Sequence, residues 1–191
     1  PLQCPTMTFS VFEQLLAFHA APALAGIKPA NLISVSKARF PQWDALLNRY
    51  RQEMAVRGIA LEVVCSCEMS LLLLVYREKQ LEDHLAKPEV AALLDGAGYP
   101  ASLPERLGKL RQRLREESFP HEIGAFLGYP PADIRSFVEQ GGRGALLTGP
   151  WKVYHNVEEA KACFARYDRC RSALCRHLAR GKSLLALFPA A

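Results

Sequence analysis

The chain lacks the short motifs that assign an activity at sight. It has no G-x-S-x-G nucleophile elbow, no phosphate-binding loop, no glycine-rich dinucleotide fingerprint and no H-E-x-x-H zinc helix. Those absences exclude the enzyme classes built on these devices, and no others. Long apolar runs are missing too. The longest, Leu71 to Val75, falls far short of the roughly 20 residues a bilayer-spanning helix needs, so no membrane association is expected. No basic segment leading into an apolar run and a cleavage site is visible near Pro1. Low-complexity tracts are absent, and half of the residues are hydrophobic, which excludes a disordered chain and supplies a core.

Charge of one sign is only slightly in excess. Lys and Arg number 24 against 19 Asp and Glu, a net charge of +5. This permits an anionic partner without requiring one. Arg106, Lys109, Arg111, Arg113 and Arg115 share one expected helix, and Lys161 to Lys182 carries a second basic series. Their spacing spreads them around the helices, and few aromatics are interleaved for base stacking. Nucleic acid is therefore the disfavoured partner, and a small anionic ligand the favoured one. The six cysteines, Cys4, Cys65, Cys67, Cys163, Cys170 and Cys175, do not follow a secreted disulfide framework or a four-ligand zinc pattern. Free thiols in a reducing cytoplasm are expected, with no metal site; no cofactor is indicated, and oligomeric state is left open.

Periodicity predicts an α+β fold: a small, mainly antiparallel sheet of about four strands, covered by helices and completed by a long C-terminal helix. A flexible leader at 1–8 and one domain over 9–191 are expected. Helices are expected at Phe9 to Ala20, ended by Pro22; at Trp43 to Val56, closed by Gly58; over 78 to 95 with a break at Pro88; and at Pro104 to Glu117, Pro131 to Gln140 and Val157 to Arg180. Strands are expected at Asn31 to Ser36, Ile59 to Cys65, Leu71 to Arg77 and Leu146 to Tyr154. In the second strand Leu61, Val63 and Cys65 should share one face; the third, apolar throughout, should be buried on both. Gly98-Tyr99-Pro100 recurs as Gly128-Tyr129-Pro130, each before a helix, as one turn chemistry used twice.

Chemistry concentrates in Phe119-Pro120-His121-Glu122-Ile123-Gly124-Ala125-Phe126-Leu127-Gly128-Tyr129-Pro130. Pro120 suits a first helical turn, which would place His121 and Glu122 at the positive end of a helix. Two roles are open to the pair: acid/base chemistry, or a helix cap with a bonded histidine. In Trp151-Lys152-Val153-Tyr154 a strand would put Lys152 and Tyr154 on one side, where they could contact an anion in a cleft. His19 falls on the apolar face of the first helix and is expected to be a satisfied core histidine. The leading expectation is a small-ligand-binding or regulatory protein with a pocket drawn from His19, Lys28, Asn31, His121, Glu122, Tyr129, Trp151, Lys152 and Tyr154. The alternatives are a small enzyme using His121 and Glu122, and nucleic-acid binding through the basic helices.

The FPHEIGAFLGYP segment, followed by Asp133, Phe137 and Gly149-Pro150-Trp151-Lys152-Val153-Tyr154, resembles a bacterial family known only as a domain of unknown function. The stretch from His19 through Pro22, Lys28 and Asn31 to Leu32 is similar to that family's N-terminal motif. The resemblance implies a small cytoplasmic protein and no particular activity. The family often carries cysteine after the histidine, where this chain has Ala20, and before the WKVY segment, where it has Leu147 and Thr148. Those departures argue against a Cys/His site here.

Overall fold

A computed structural model describes residues 5–116 and 119–190, and the side chains of 11–116 and 119–190. The start of the expected leader, Cys4, the inward face of Phe9 and the expected helix end at Glu117 therefore lie outside the described residues. The fold is α+β with small antiparallel sheets and a long C-terminal helix. The chain divides into two compact units: one from the N-terminal part up to Glu78 together with the chain from Arg169 on, the other Lys79–Asp168. Among the described residues no helix is long and apolar enough to cross a membrane.

The first unit is built on a three-stranded antiparallel sheet in the order β1-β3-β2, with β1 Ala30–Ser36, β2 Ala60–Ser66 and β3 Ser70–Tyr76. Ile33 lies opposite Leu73, Val35 opposite Leu71 and Leu61 opposite Val75. These six side chains join one core with Phe12 and Leu16 of α1 (Pro5–Leu24) and with Leu47, Tyr50 and Met54 of α2 (Trp43–Ala55). The central strand is also buried on its other face through Leu74, as an unbroken apolar run requires of a middle strand. The expected alternation in β2 holds at Leu61 and Val63, opposite Val75 and Leu73, and breaks at Cys65. The register slips between Val63 and Cys65, leaving Cys65 opposite Leu72 instead of on the face of Leu61 and Val63.

The helix α1 also differs from expectation, since it passes through Pro22 to Leu24. Proline there forfeits a single backbone bond, while Ala20, Ala21, Ala23 and Leu24 all reach full burial. Tertiary packing outweighs the local penalty. Arg77 then caps this helix by donating Nε and Nη2 to the Leu24 carbonyl at 3.1 and 2.7 Å. Glu13 is buried in the same unit, accepting from Tyr50 Oη at 2.9 Å and from Leu184 N at 2.7 Å. The second bond ties the short α9 (Leu184–Leu187) to α1.

The second unit contains α3 (Glu78–Leu85, whose first residue belongs to the other unit), α4 (Pro88–Gly96), α5 (Leu103–Arg113), the single turn α6 (Ile123–Phe126) and α7 (Pro131–Glu139). The last expected strand is instead a tight hairpin of β4 (Leu147–Thr148) and β5 (Lys152–Val153), paired Leu147 to Val153 and Thr148 to Lys152. Gly149-Pro150 between them cannot continue a ladder, because proline has no N–H to give. The sheet of about four strands is thus a three-stranded sheet plus this separate pair. Helix α8 (Val157–Ala179) begins after the hairpin. The break at Pro88 is present as the gap between α3 and α4.

The twin Gly-Tyr-Pro turns share one geometry. Gly98 and Gly128 take φ of 75° and 76°. Tyr99 N then donates back to Leu94 O at 3.0 Å, and Tyr129 N to Gly124 O at 2.8 Å. This is the Schellman closure, in which a left-handed residue lets the following N–H satisfy an orphan helical carbonyl. The expected charged helix, α5, turns Arg106 inward, where Nε donates to Pro100 O at 2.7 Å and Nη1 to Leu85 O at 3.0 Å. Arg113 pairs with Glu116 at 2.8 Å. Two of its expected surface bases are therefore already engaged.

Candidate functional site

The site forms where the Phe119 to Pro130 segment, α7 and the β4–β5 hairpin face one another. Pro120, His121 and Glu122 do not open a helix as expected. They make tight i to i+3 turns, with Ile123 N donating to Pro120 O at 3.3 Å and Gly124 N to His121 O at 3.1 Å. The turn is followed by α6, buried all along its length. A four-residue turn has too few aligned peptides to generate the expected helix field. Gly124 is required here by space. A Cβ at this position would lie 2.9 Å from Tyr129 Cδ2 and 3.1 Å from Ile134 Cδ1. Its absence lets the tyrosine ring fold back over the turn.

Asp133, in the first turn of α7, organises the opposite wall. Its carboxylate is 2% exposed and accepts three N–H groups: Trp151 Nε1 at 2.8 Å, Tyr154 N at 2.9 Å and His155 N at 3.0 Å. A buried carboxylate is tolerated when its lone pairs are filled in this way. The bonds fix both the hairpin's departure and the plane of the indole. Trp151 then stacks obliquely on Tyr129, with centroids 5.3 Å apart and planes at 31°. Phe164 meets it edge-on at 4.6 Å. A side chain at Gly149 would overlap Phe164, so the hairpin tip is glycine by necessity.

Lys152 reaches back to α7. Its ammonium donates to the Gly142 carbonyl and sits 5.7 Å from the centre of the Phe137 ring, a cation–π contact. Gly142 has φ of 73° and closes α7 through a 2.8 Å bond from its N–H to Phe137 O. The imidazole of His121 lies against Phe137 as well, 5.2 Å between centroids. Lys152 makes no ion pair among the described residues.

These groups line an open cavity of about 390 Å³ whose walls include Phe119, His121, Tyr129, Phe137, Trp151 and Lys152. Four of the residues expected to form a pocket thus meet in one place: His121, Tyr129, Trp151 and Lys152. Glu122 does not join them. Its carboxylate pairs with Arg113 at 3.1 Å and lines a neighbouring groove with Val138 and Glu139. Tyr154 is buried, anchored through its backbone to Asp133, and does not line the cavity. The expectation that it shares a cleft with Lys152 fails because Asp133 holds the chain inward at the end of β5.

His19, Lys28 and Asn31 belong to the first unit. His19 is exposed, not in the core; it lines a cleft with Phe18 and Arg39. Its basicity is lowered by partial burial and then by Arg171 and Arg39. Lys28 is buried. Asn31 Oδ1 accepts from Ala23 N at 3.1 Å, bracing the end of α1.

Two elements were not singled out from sequence. By sequence Asp133 stands out only within the family-like stretch, although an acid three residues into a Pro-Pro-initiated helix and a downstream Trp together offer a signal. The other is a 2.9 Å bond between Ser136 Oγ and His155 Nε2, which carries no sequence signature. Asp133 meets the backbone of His155 and not its imidazole, so the three do not form a relay. Among the described residues no cluster of three potential metal ligands occurs. The thiols differ in character: hydrogen bonds with Ser70 lower the pKa of exposed Cys67, and burial raises that of Cys170.

Neither a curated protein nor a solved structure shows significant similarity to the chain. One family model matches residues 16–188, spanning both units and the whole candidate site. The chain belongs to the family described as Protein of unknown function (DUF3793).

Proposed function

We propose that the protein binds a small, largely apolar ligand in the cavity of the second unit. The observation that carries this reading is the ring-lined space of about 390 Å³, within the roughly 300–1,000 Å³ range of small-molecule sites. Its walls are aromatic faces held by glycines and by a saturated buried carboxylate. That construction preorganises a pocket without filling it. The acid/base alternative has less support, since Glu122 is engaged by Arg113 and no carboxylate bonds to His121 among the described residues.

The chain has two tryptophans, Trp43 and Trp151, so Trp43→Phe leaves one reporter in the cavity wall. Titration of that variant with one- and two-ring aromatic compounds should give a saturable change in Trp151 emission. Thr148→Phe, at an exposed position on the rim, should suppress it. The reading is wrong if no compound gives saturation, or if filling the rim leaves the response intact.

A further inference from the structure

We infer that the ligand is a flat, unsaturated monocarboxylate whose carboxylate is received by Lys152. This rests on the pocket reading above and assigns the chemistry of its occupant. Lys152 is half-buried and brings a positive charge to a wall otherwise made of rings. An ammonium has three N–H donors, of which the Gly142 carbonyl takes one. The Phe137 face solvates the charge further, but no carboxylate neutralises it among the described residues. Asp133 also lines the cavity, yet its two oxygens are committed to Trp151, Tyr154 and His155. The site therefore presents a cation with free donors and an anion whose acceptor sites are filled. An incoming carboxylate gains charge-assisted hydrogen bonds in surroundings where water competes poorly.

The same geometry selects against other occupants. A ring-lined cavity can host an organic cation, but here Lys152 already occupies the cation's place beside Phe137 and would repel a second. A phosphate ester carries close to two negative charges and three strong acceptor oxygens. A single lysine with two free donors matches the two oxygens of a carboxylate better. The flat body follows from the walls: Tyr129, Trp151 and Phe137 offer ring faces and edges, with which a planar π-system makes offset and edge contacts.

Three probes with one carbon skeleton and different charge test this: trans-cinnamate, cinnamyl alcohol and cinnamylamine. Each is titrated calorimetrically into the full chain at neutral pH and low salt. Cinnamate should bind about tenfold or more tightly than the alcohol, as a charge-assisted bond predicts, and the amine more weakly than the alcohol. Lys152→Met should erase the advantage of cinnamate, bringing the ratio of its affinity to that of the alcohol down to about one, and a ratio unchanged from wild type would overturn the assignment. Lys152→Gln provides the same comparison if the methionine variant does not fold. Benzoate should also bind more tightly than phenyl phosphate. If the alcohol binds and cinnamate binds no better, the carboxylate assignment falls while the pocket reading stands. If phenyl phosphate exceeds benzoate, the occupant is a phosphate and the assignment is overturned. If none of the compounds binds, the pocket reading falls and takes this inference with it.

Discussion

Replacing Asp133 tests whether the cavity wall depends on one buried carboxylate. Asp133→Ala strips the partners from three N–H groups: the indole of Trp151 and the backbone amides of Tyr154 and His155. Leaving a buried donor unsatisfied costs about 1–3 kcal/mol. His155 is exposed, and its amide can recruit water, so two donors carry most of the loss. The expected destabilisation is about 3–5 kcal/mol, a large share of the roughly 5–15 kcal/mol that holds a typical domain together. Asp133→Asn should cost less, about 2–3 kcal/mol, because one amide oxygen still accepts. Its NH₂ group, however, must face a donor in either orientation: the indole N–H in one, the two backbone amides in the other. Urea unfolding followed by Trp151 emission in the Trp43→Phe background measures both variants. Trp151 emission should also move to longer wavelength in the folded baseline as the indole loses its tether. A cost below about 1 kcal/mol for the alanine variant, with unchanged emission, would refute the role given to this carboxylate.

Further predictions concern other parts of the same framework. Gly124→Ala places a methyl group 2.9 Å from the Tyr129 ring; displacement of that ring should destabilise by about 1–3 kcal/mol and weaken aromatic-ligand binding, both readable in one thermal-shift experiment with and without cinnamate. Glu13→Ala orphans Leu184 N and removes one acceptor from the Tyr50 hydroxyl; a loss of about 1–3 kcal/mol is expected, with accelerated amide hydrogen exchange at Leu184, whereas exchange unchanged at that amide would contradict the tether. His84 donates Nε2–H to Ala125 O at 2.9 Å in its neutral form, and burial lowers its pKa, more than the carbonyl raises it. A lowered folded-state pKa means that the unfolded chain binds the proton more readily. Its stabilising contribution is therefore complete above the unfolded value near 6.5 and is lost as pH falls below it. Melting temperatures of wild type and His84→Gln between pH 7.5 and 5 should converge on acidification; parallel curves would show that His84 does not contribute.

The elements were legible where one physical effect dominated. Leu71 to Val75 reads as a central strand because nothing but two-sided burial accommodates such a run, and β3 is central. The helix from Trp43 to Ala55 is closed off by Gly58 as anticipated, with Ile59 N bonded to Met54 O at 3.0 Å. Reading failed where a tertiary effect opposed a local one. Pro22 marks a helix end by its own geometry, but four buried residues around it carry α1 onward. Cys65 has the parity of Leu61 and Val63, but the bulge opposite β3 takes it off their face. A bulge is a relation between two strands and is not written in either one.

The site shows the same division with a sharper consequence. Residue chemistry and motif density located His121, Tyr129, Trp151 and Lys152, and these do line one cavity. Adjacency misled at the next step: Glu122 beside His121 looked like an acid/base pair, yet consecutive residues in a tight turn diverge, and Glu122 faces Arg113. The partner that shapes the pocket is Asp133, and it meets Trp151 across 18 residues of sequence. Its hydrogen bonds occupy the oxygens with which it could otherwise have paired with Lys152 directly. The one carboxylate among the described residues that line the cavity is already committed to holding the wall. A framework acid and an unpaired lysine in the same cavity therefore belong to a single arrangement. If Asp133→Asn left its wall intact, the electrostatic cost to a bound carboxylate should fall, and cinnamate affinity should rise while that of cinnamyl alcohol does not. If the wall instead collapses, both ligands should weaken together. The ratio of the two affinities separates the charge of Asp133 from its scaffolding role, which neither affinity alone can do.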